Sequence, residues 1–341
     1  MVLYPLRFKP IFQQYLWGGR RLGTELNKPI GDGPTYAESW EIVDHGKDQS
    51  HVQFGEYAGK SLGEMVRDHG ECLLGRETAA DIQKETRPTN LRNRFPLLFK
   101  FLDACQNLSV QVHPDDRMGM TLIPPDLGKT EAWVVLDTIP GAKIYAGLKS
   151  GVDENILRKA IEEAAAEEVL HSFEPGIGDC VFIPAGTVHA LGKGLLIGEI
   201  QQCSNTTFRL YDWGRVDTDG NSRELHIEAG ISATDFLRGP VHPQIPSRLD
   251  GIAECLLECK EFSMKRLTLA ADLNWTPNEI ELSSYSPVNR FRLLVVLSGE
   301  ISLPDDPAGQ PLGKAETVLI PASMENVTVQ YSRTTELLLI S

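Results

Sequence analysis

Gly178-Asp179-Cys180-Val181-Phe182-Ile183-Pro184-Ala185-Gly186-Thr187-Val188-His189 is echoed near the C-terminus by Gly313-Lys314-Ala315-Glu316-Thr317-Val318-Leu319-Ile320-Pro321-Ala322-Ser323-Met324-Glu325-Asn326. Aligned on their Val-Phe/Leu-Ile-Pro-Ala blocks, the copies set His189 against Asn326. Upstream, Val134-Val135-Leu136 matches Val295-Val296-Leu297, which sets Glu131 against Arg292. Each copy is a short apolar strand stopped by a turn. Further strand-like runs, such as Leu97 to Leu102 and Arg292 to Leu297, are punctuated by Gly and Pro at short intervals. Two stretches read as helix: Ser61 to about Leu74, and Asp153 to about Leu170 with Asp153 as N-cap. Pro240, Pro243 and Pro246 mark Arg238 to Asp250 as a linker. The expected architecture is mainly β, a double jelly roll with a few short helices. Residues 1–240 form the first unit, with the helical insertions, and 250–341 the second.

The chemistry gathers in the first copy. In Leu108-Ser109-Val110-Gln111-Val112-His113-Pro114-Asp115-Asp116, residues two apart on an extended strand point to the same face, so Gln111 and His113 converge. Glu131 follows in Gly128-Lys129-Thr130-Glu131-Ala132-Trp133, and His189 closes the repeated block. An amide oxygen, a carboxylate and two imidazoles form an N/O donor set suited to zinc or a neighbouring divalent ion. Three separate segments must meet, and the interior of a β-barrel brings them together. The second copy, with Arg292 and Asn326 at the corresponding positions, lacks this set. A metal-dependent enzyme is the reading that follows.

Bulk properties narrow the class. The chain has 341 residues, 41% hydrophobic and 23% charged, as in ordinary soluble globular proteins. Its net charge of −14 argues against nucleic acid or an anionic membrane as partner. An anionic small molecule stays admissible, because a cleft can be locally basic. There is no long apolar run and no signal-peptide core near the N-terminus. The six cysteines lack any CxxC pairing and read as reduced, mostly buried thiols of a cytoplasmic protein. His171, His226 and His242 lack companions of metal-ligand type and read as surface or structural residues.

Taken in order, the blocks Tyr15-Leu16-Trp17-Gly18-Gly19, Glu38-Ser39-Trp40-Glu41-Ile42, Phe95-Pro96-Leu97-Leu98-Phe99-Lys100, Leu108 to Pro114, Gly128 to Trp133 and Phe182 to Arg215 are similar to one family. The chain resembles the zinc-dependent mannose-6-phosphate isomerases, the type I phosphomannose isomerase group of the cupin superfamily, in its short bacterial form. Pro-Ala-Gly-x-x-His alone would imply only a cupin. The resemblance implies one Zn2+ per chain on Gln111, His113, Glu131 and His189. It places the catalytic arginine on Arg209 and an acidic proton-transfer residue on Glu199. Lys100 and Lys129 match positions lining the sugar-phosphate pocket. Ala37, where the family usually has Gly, and Asp115-Asp116 depart from the pattern without touching these positions.

The implied reaction interconverts D-mannose 6-phosphate and D-fructose 6-phosphate through an enediol. Arg209 holds its proton too firmly to be a base and suits charge stabilisation or phosphate anchoring. Glu199, or Lys129 with a depressed pKa, is the expected proton carrier. Lys100, Lys129 and Arg209 are the cations available to a phosphate. Two other classes compete: a non-catalytic sugar-phosphate-binding cupin regulator, and another cupin enzyme such as an iron-dependent oxygenase. Beyond the sugar phosphate, neither nucleic acid nor a membrane is expected as partner, and the protein is read as a monomer or homodimer.

Overall fold

The computed structural model describes residues 3–216, 220–271 and 278–341. A six-stranded antiparallel sheet runs in the spatial order Ile11–Gln13, Glu38–Ile42, Leu97–Ala104, Leu195–Gln202, Glu131–Thr138 and Cys180–Ile183. A five-stranded sheet lies against one face of it, in the order Phe208–Tyr211, Val110–Val112, His189–Leu191, Ile144–Leu148 and Leu170–Phe173. The two sheets form the cupin-type jelly roll expected from the sequence.

A second six-stranded sheet repeats the plan of the first. Its order is Ser247–Arg248, Ala253–Glu258, Ser263–Leu269, Thr335–Ile340, Arg292–Ser298 and Thr317–Ile320. The register repeats as well: Ile183 lies opposite Glu131, and Ile320 lies opposite Arg292. These are the positions that the sequence alignment sets in correspondence. Arg292 is buried in the second sheet and donates to the backbone carbonyls of Met324 and Glu325. A fixed cation therefore stands where the first sheet has a carboxylate.

The faces of the first sheet have different neighbours. Phe99, Phe101, Ala132, Val134, Leu196 and Ile200 pack against Leu257, Met264, Leu293 and Leu338 of the second sheet. Leu102, Trp133, Val135 and Ile197 point the other way and pack with Ile144, Ala146 and Leu191 inside the barrel. Strands Leu97–Ala104 and Leu195–Gln202 are consequently buried at every residue. That is why they read as continuous apolar runs rather than alternating ones. Each fully buried Leu or Phe there contributes about 1.5–3 kcal/mol.

The helices follow their capping signals. Leu62–Leu74 starts at a reciprocal capping box, in which Ser61 Oγ accepts from Glu64 N at 3.2 Å and Glu64 Oε2 accepts from Ser61 N at 2.8 Å. Asp153 caps the helix Glu154–Glu162, accepting from Ile156 N at 2.9 Å. This helix is shorter than the sequence implies. The chain breaks at Ala164, where φ is +56°, passes through a 3-10 turn at Ala166–Val169, and enters the strand Leu170–Phe173. Leu170 pairs with Leu148, so tertiary strand pairing overrides the helical propensity of the Ala/Glu run.

The linker is irregular from Arg238 to Pro246, but it is not free. Val241 N donates to Ala146 O, Gln244 N donates to Cys180 O, and Ser247–Arg248 adds the edge strand of the second sheet. The cysteines depart from expectation in their burial: all six are free, yet only Cys180 and Cys203 are buried, with Cys72 and Cys105 exposed. Among the described residues no helix is long and apolar enough to cross a membrane.

The two halves are stitched together at several points. Leu6 pairs with Leu319 through hydrogen bonds of 2.8 and 2.9 Å, and buried Arg7 engages Asp306. Ala322 N and Ser323 N donate to Leu73 O and Cys72 O, satisfying carbonyls left free at the end of Leu62–Leu74. This approach requires Gly75, whose φ of +87° and ψ of 154° suit glycine alone and whose added Cβ would meet Asn289 O at 1.9 Å. Gly75→Ala is expected to destabilise the fold by at least about 1–3 kcal/mol from backbone strain, read as a lowered urea midpoint with an unchanged m-value.

Candidate active site

Strand register assembles the site. Gln111 lies opposite His189 on one side and opposite Arg209 on the other. Glu131 opens the strand Glu131–Thr138, and His189 opens the strand His189–Leu191. His113 follows the strand Val110–Val112 on the same face as Gln111. Their side chains meet: Glu131 Oε1 lies 3.3 Å from His189 Nε2, and Glu131 Oε2 lies 3.4 Å from His113 Nε2. One donor atom from each of His113, Glu131 and His189 falls within 4.8 Å of the others, and all three residues are 1% exposed.

The ring orientation is held from behind. His113 Nδ1 donates to Thr206 O and His189 Nδ1 donates to Thr187 O, each at 2.9 Å. A carbonyl can only accept, so both rings carry the proton on Nδ1 and turn the Nε2 lone pair towards Glu131. Burial, reinforced by Lys129, pushes the His113 imidazolium down to about 3, and burial lowers His189 as well. Burial alone would protonate Glu131, but the Lys129 ammonium holds its pKa well below the ordinary carboxylate value. Two neutral imidazoles and a carboxylate in this orientation could hold a metal ion. A cation already sits against it: Lys129 Nζ lies 2.9 Å from His113 Nε2 and donates to Glu131 Oε2. Gln111 reaches the same point by its amide nitrogen, 3.3 Å from His189 Nε2, while its oxygen accepts from Ser109 Oγ at 3.2 Å.

Beside this cluster lies a row of buried charges of alternating sign. Lys100 Nζ is 3.3 Å from Glu38 Oε2 and 3.4 Å from Glu199 Oε1. Glu199 Oε1 is also 3.7 Å from Lys129 Nζ, and Glu199 Oε2 accepts from Trp133 Nε1 at 3.1 Å. Oε1 itself makes no hydrogen bond. Burial, with Glu131 added, raises Glu199 to about 7 against the pull of both lysines. Burial works against charge on Lys100, but Glu199, Glu38 and Glu131 outweigh it and raise its pKa, so Lys100 stays an ammonium. These groups line a cavity of about 320 Å³.

Seven of the eight residues expected from sequence line this cavity: Lys100, Gln111, Lys129, Glu131, His189, Glu199 and Arg209. His113 completes the cluster beneath them. Trp17 lines the cavity too. His226 braces Arg209, donating its backbone N–H to Arg209 O and accepting Arg209 N at Nδ1. Three contributors carry no sequence signal of their own. Glu38 stands in a motif block without an assigned role. Asp126 sits three residues before Lys129, and Arg223 lies in an ordinary polar stretch.

Asp126 organises the back of the site. It accepts hydrogen bonds from Arg94 Nη1 at 2.6 Å, from Ser204 Oγ and Thr206 Oγ1 at 3.0 Å, and from Asn205 N at 3.3 Å. His45 Nε2 lies 3.1 Å away. The segment Ser204–Thr206 is thereby held where Thr206 O meets His113. The departures after His113 also have local jobs: Asp115 caps a short helix, and Asp116 Oδ1 accepts from Gly128 N and Gln202 Nε2.

Comparison with known proteins places this geometry in context. The family model described as "Phosphomannose isomerase type I, catalytic domain" matches residues 5–127. Mannose-6-phosphate isomerase ManA of Bacillus subtilis is 35% identical over 329 residues, covering 94% of each chain. A mannose-6-phosphate isomerase of Streptococcus mutans is 38% identical over 227 residues, 67% of this chain and 66% of the other. The crystal structure of a mannose 6-phosphate isomerase from Bacillus subtilis superposes with a TM-score of 0.83 at 28% identity, covering 99% of this chain and 100% of that one.

Asp126→Ala leaves the buried Arg94 guanidinium without its carboxylate, a change that costs about 3–5 kcal/mol. The expected outcome is a loss of that size in urea unfolding, which measures it directly.

Proposed function

Because the chain belongs to the type I phosphomannose isomerase family, we propose that its buried cavity interconverts D-mannose 6-phosphate and D-fructose 6-phosphate. The observation that carries this reading is the pairing of the His113–Glu131–His189 donor set with Glu199, a buried carboxylate with one oxygen free of hydrogen bonds. No observation favours a binding-only regulator.

His113, Glu131 and His189 would hold one Zn2+, with the Gln111 amide oxygen as fourth donor once the amide is turned. The histidine tautomers and the cation already at Glu131 support the fit. When bound, the ion supplies Lewis-acid polarisation of the sugar oxygens at C1 and C2.

The chain's own groups do the rest. Glu199 takes the proton from C2 of the aldose and returns it to C1 of the enediol, while the hydroxyl and carbonyl oxygens exchange one proton. A carboxyl near pKa 7 suits both directions, because neither of its protonation states is scarce at neutral pH. Lys100, held as an ammonium 3.4 Å from Glu199 Oε1, stabilises its ionised form. Lys129, with its Nζ 3.7 Å from Glu199 Oε1, is the second claimant to proton transfer. Arg209 stabilises negative charge that develops on the substrate. Trp133 anchors the other Glu199 oxygen, and the walls of Leu102, Trp17 and Leu191 keep water from the reacting carbons.

We also read residues 1–240 as the metal-binding jelly roll and 250–341 as one without ligands, supported by Arg292 opposite Ile320. Six unpaired cysteines fit a reducing, cytoplasmic setting.

Purified protein is expected to isomerise mannose 6-phosphate, to lose activity on chelation and to regain it with zinc. His189→Ala is expected to abolish both turnover and stoichiometric metal content, followed by elemental analysis. Retention of full activity in the metal-stripped protein would sink the metal assignment. The rate should rise with pH as Glu199 ionises, read as an acid limb in kcat/KM. Glu199→Gln should lose about 10²–10⁴-fold in kcat and with it that limb, whereas a limb that persists unchanged assigns proton transfer elsewhere.

A further inference from the structure

We propose that the protein carries a second ligand site, a cavity behind the barrel wall that takes an organic phosphate on Arg67 and Arg92. Its occupancy reaches His113 through Asn205 and Thr206. The site is separate from the catalytic cavity, and ligand binding there does not rest on the isomerase reading.

This rear cavity measures about 760 Å³, against about 320 Å³ for the catalytic one, a volume suited to a small metabolite. Segments far apart in the chain bound it: the turn at Asp44 and His45, the helix Leu62–Leu74 through Arg67, the loop carrying Arg92 and Arg94, and the run from Leu122 to Asp126. The barrel closes it with Asn205 and Thr206. Asn205 lines both cavities, Thr206 lines the rear one and Thr207 the catalytic one, so the same stretch of backbone is a wall of each.

The two carboxylates that line the rear cavity, Asp44 and Asp126, are buried and already supplied with donors. Asp44 accepts from Gln49 Nε2 and from Phe95 N, each at 2.8 Å. Asp126 Oδ1 accepts from Arg94 Nη1 and Leu127 N, and Oδ2 from Ser204, Asn205 and Thr206. Two of the cations are not so engaged. Arg92 donates Nε to Arg87 O and Nη2 to Glu85 O, and among the described residues it has no carboxylate partner and no hydrogen bond from Nη1. Arg67 makes neither a hydrogen bond nor an ion pair with any described residue. Its acidic neighbours are occupied, Glu64 by Ser61 and Asp68 by Lys60. Guanidiniums with free edges suit paired phosphoryl oxygens. The lip of the cavity is apolar: Leu122, Ile123, Pro124 and Pro125 line it, and Ile123 is 99% exposed. An organic phosphate answers both features, with its phosphate on the arginines and its organic part covering the lip.

A hydrogen-bonded path leads from this cavity to the metal cluster. Asp126 Oδ2 accepts from Thr206 Oγ1 at 3.0 Å, and Thr206 O accepts from His113 Nδ1 at 2.9 Å. Arg94, two residues after Arg92, joins the same path by donating to Asp126 Oδ1 at 2.6 Å and to Cys203 O at 3.2 Å. A ligand held between Arg92 and Asn205 ties the loop to the wall a second time and stiffens the segment that orients His113. Coupling between two such sites is typically worth about 5–150-fold in affinity.

The test uses the metal-loaded full-length protein, with AMP as the probe and adenosine as its phosphate-free counterpart. Calorimetry is expected to show AMP binding that Arg92→Gln weakens about 10–100-fold, the loss of one charge-assisted hydrogen bond or two. Arg67→Gln, at an exposed side chain with no bond to lose, should weaken it likewise, so the test does not depend on how well the Arg92 variant folds. Arg209→Gln, in the catalytic cavity, should leave AMP affinity unchanged, and adenosine should bind far more weakly. AMP should slow zinc loss to a chelator by about 5-fold or more in wild type, and that slowing should vanish in Arg67→Gln. Absence of AMP binding, binding equal to that of adenosine, or binding weakened only by Arg209→Gln would overturn the site. AMP binding with an unchanged rate of zinc loss would overturn the coupling. None of these readouts requires turnover, so failure of the isomerase reading and failure of this proposal are told apart.

Discussion

A sheet buried on both faces is the constraint on which this molecule turns. Strands Leu97–Ala104 and Leu195–Gln202 have no solvent side, because alternate residues face either the second sheet or the barrel interior. Any charged residue in them must then be buried, and burying an unpaired charge is far costlier than a buried Leu is helpful. Lys100 and Glu199 occupy such positions directly opposite one another in the strand register. Each makes the other tolerable, and both point to the barrel side. The polar site is thus a compensated interruption in an apolar sheet.

The same logic accounts for the function of the row. Alternation of sign from Glu38 through Lys100, Glu199 and Lys129 to Glu131 lets five buried ionisable groups coexist without solvent. The compensation is uneven, and the unevenness is useful. Glu131, with the Lys129 ammonium against it, is held ionised, while Glu199 is raised to about 7 by burial and by Glu131. Two carboxylates of one cavity are thereby pushed apart in proton affinity by their surroundings. Asp126 plays the corresponding part behind the barrel wall, holding Thr206 so that its carbonyl orients His113.

The second sheet shows what the first looks like without chemistry. Its strand order and register match, yet Arg292 fills the position of Glu131 and spends its donors on backbone carbonyls. Its contribution to the site is packing. Leu293, Leu338 and Met264 close the outer face of the first sheet and make the strands beneath fully buried. Among the described residues the His-Glu-His donor cluster lies in the first copy, and the second copy supplies its dry background.

How much is legible from residues alone follows from which interactions are local in sequence. The repeated Val-x-Ile-Pro-Ala block, the period-two relation of Gln111 and His113, and the caps at Ser61 and Asp153 are short-range patterns, and they determined the β architecture, the donor types and two helix starts. The end of the second helix escapes such patterns because Leu170 is claimed by Leu148, a distant partner in the chain. The exposure of Cys72 and Cys105 escapes them for the same reason, since burial depends on segments far away in sequence. Tertiary structure alone decided which carboxylate is free, which lysines are already matched, and that Arg223 reaches the same cavity as Lys100. Charge, chemistry and strand period belong to single residues and their neighbours. Electrostatic balance belongs to groups far apart in the chain, and it exists only once the barrel has closed around them.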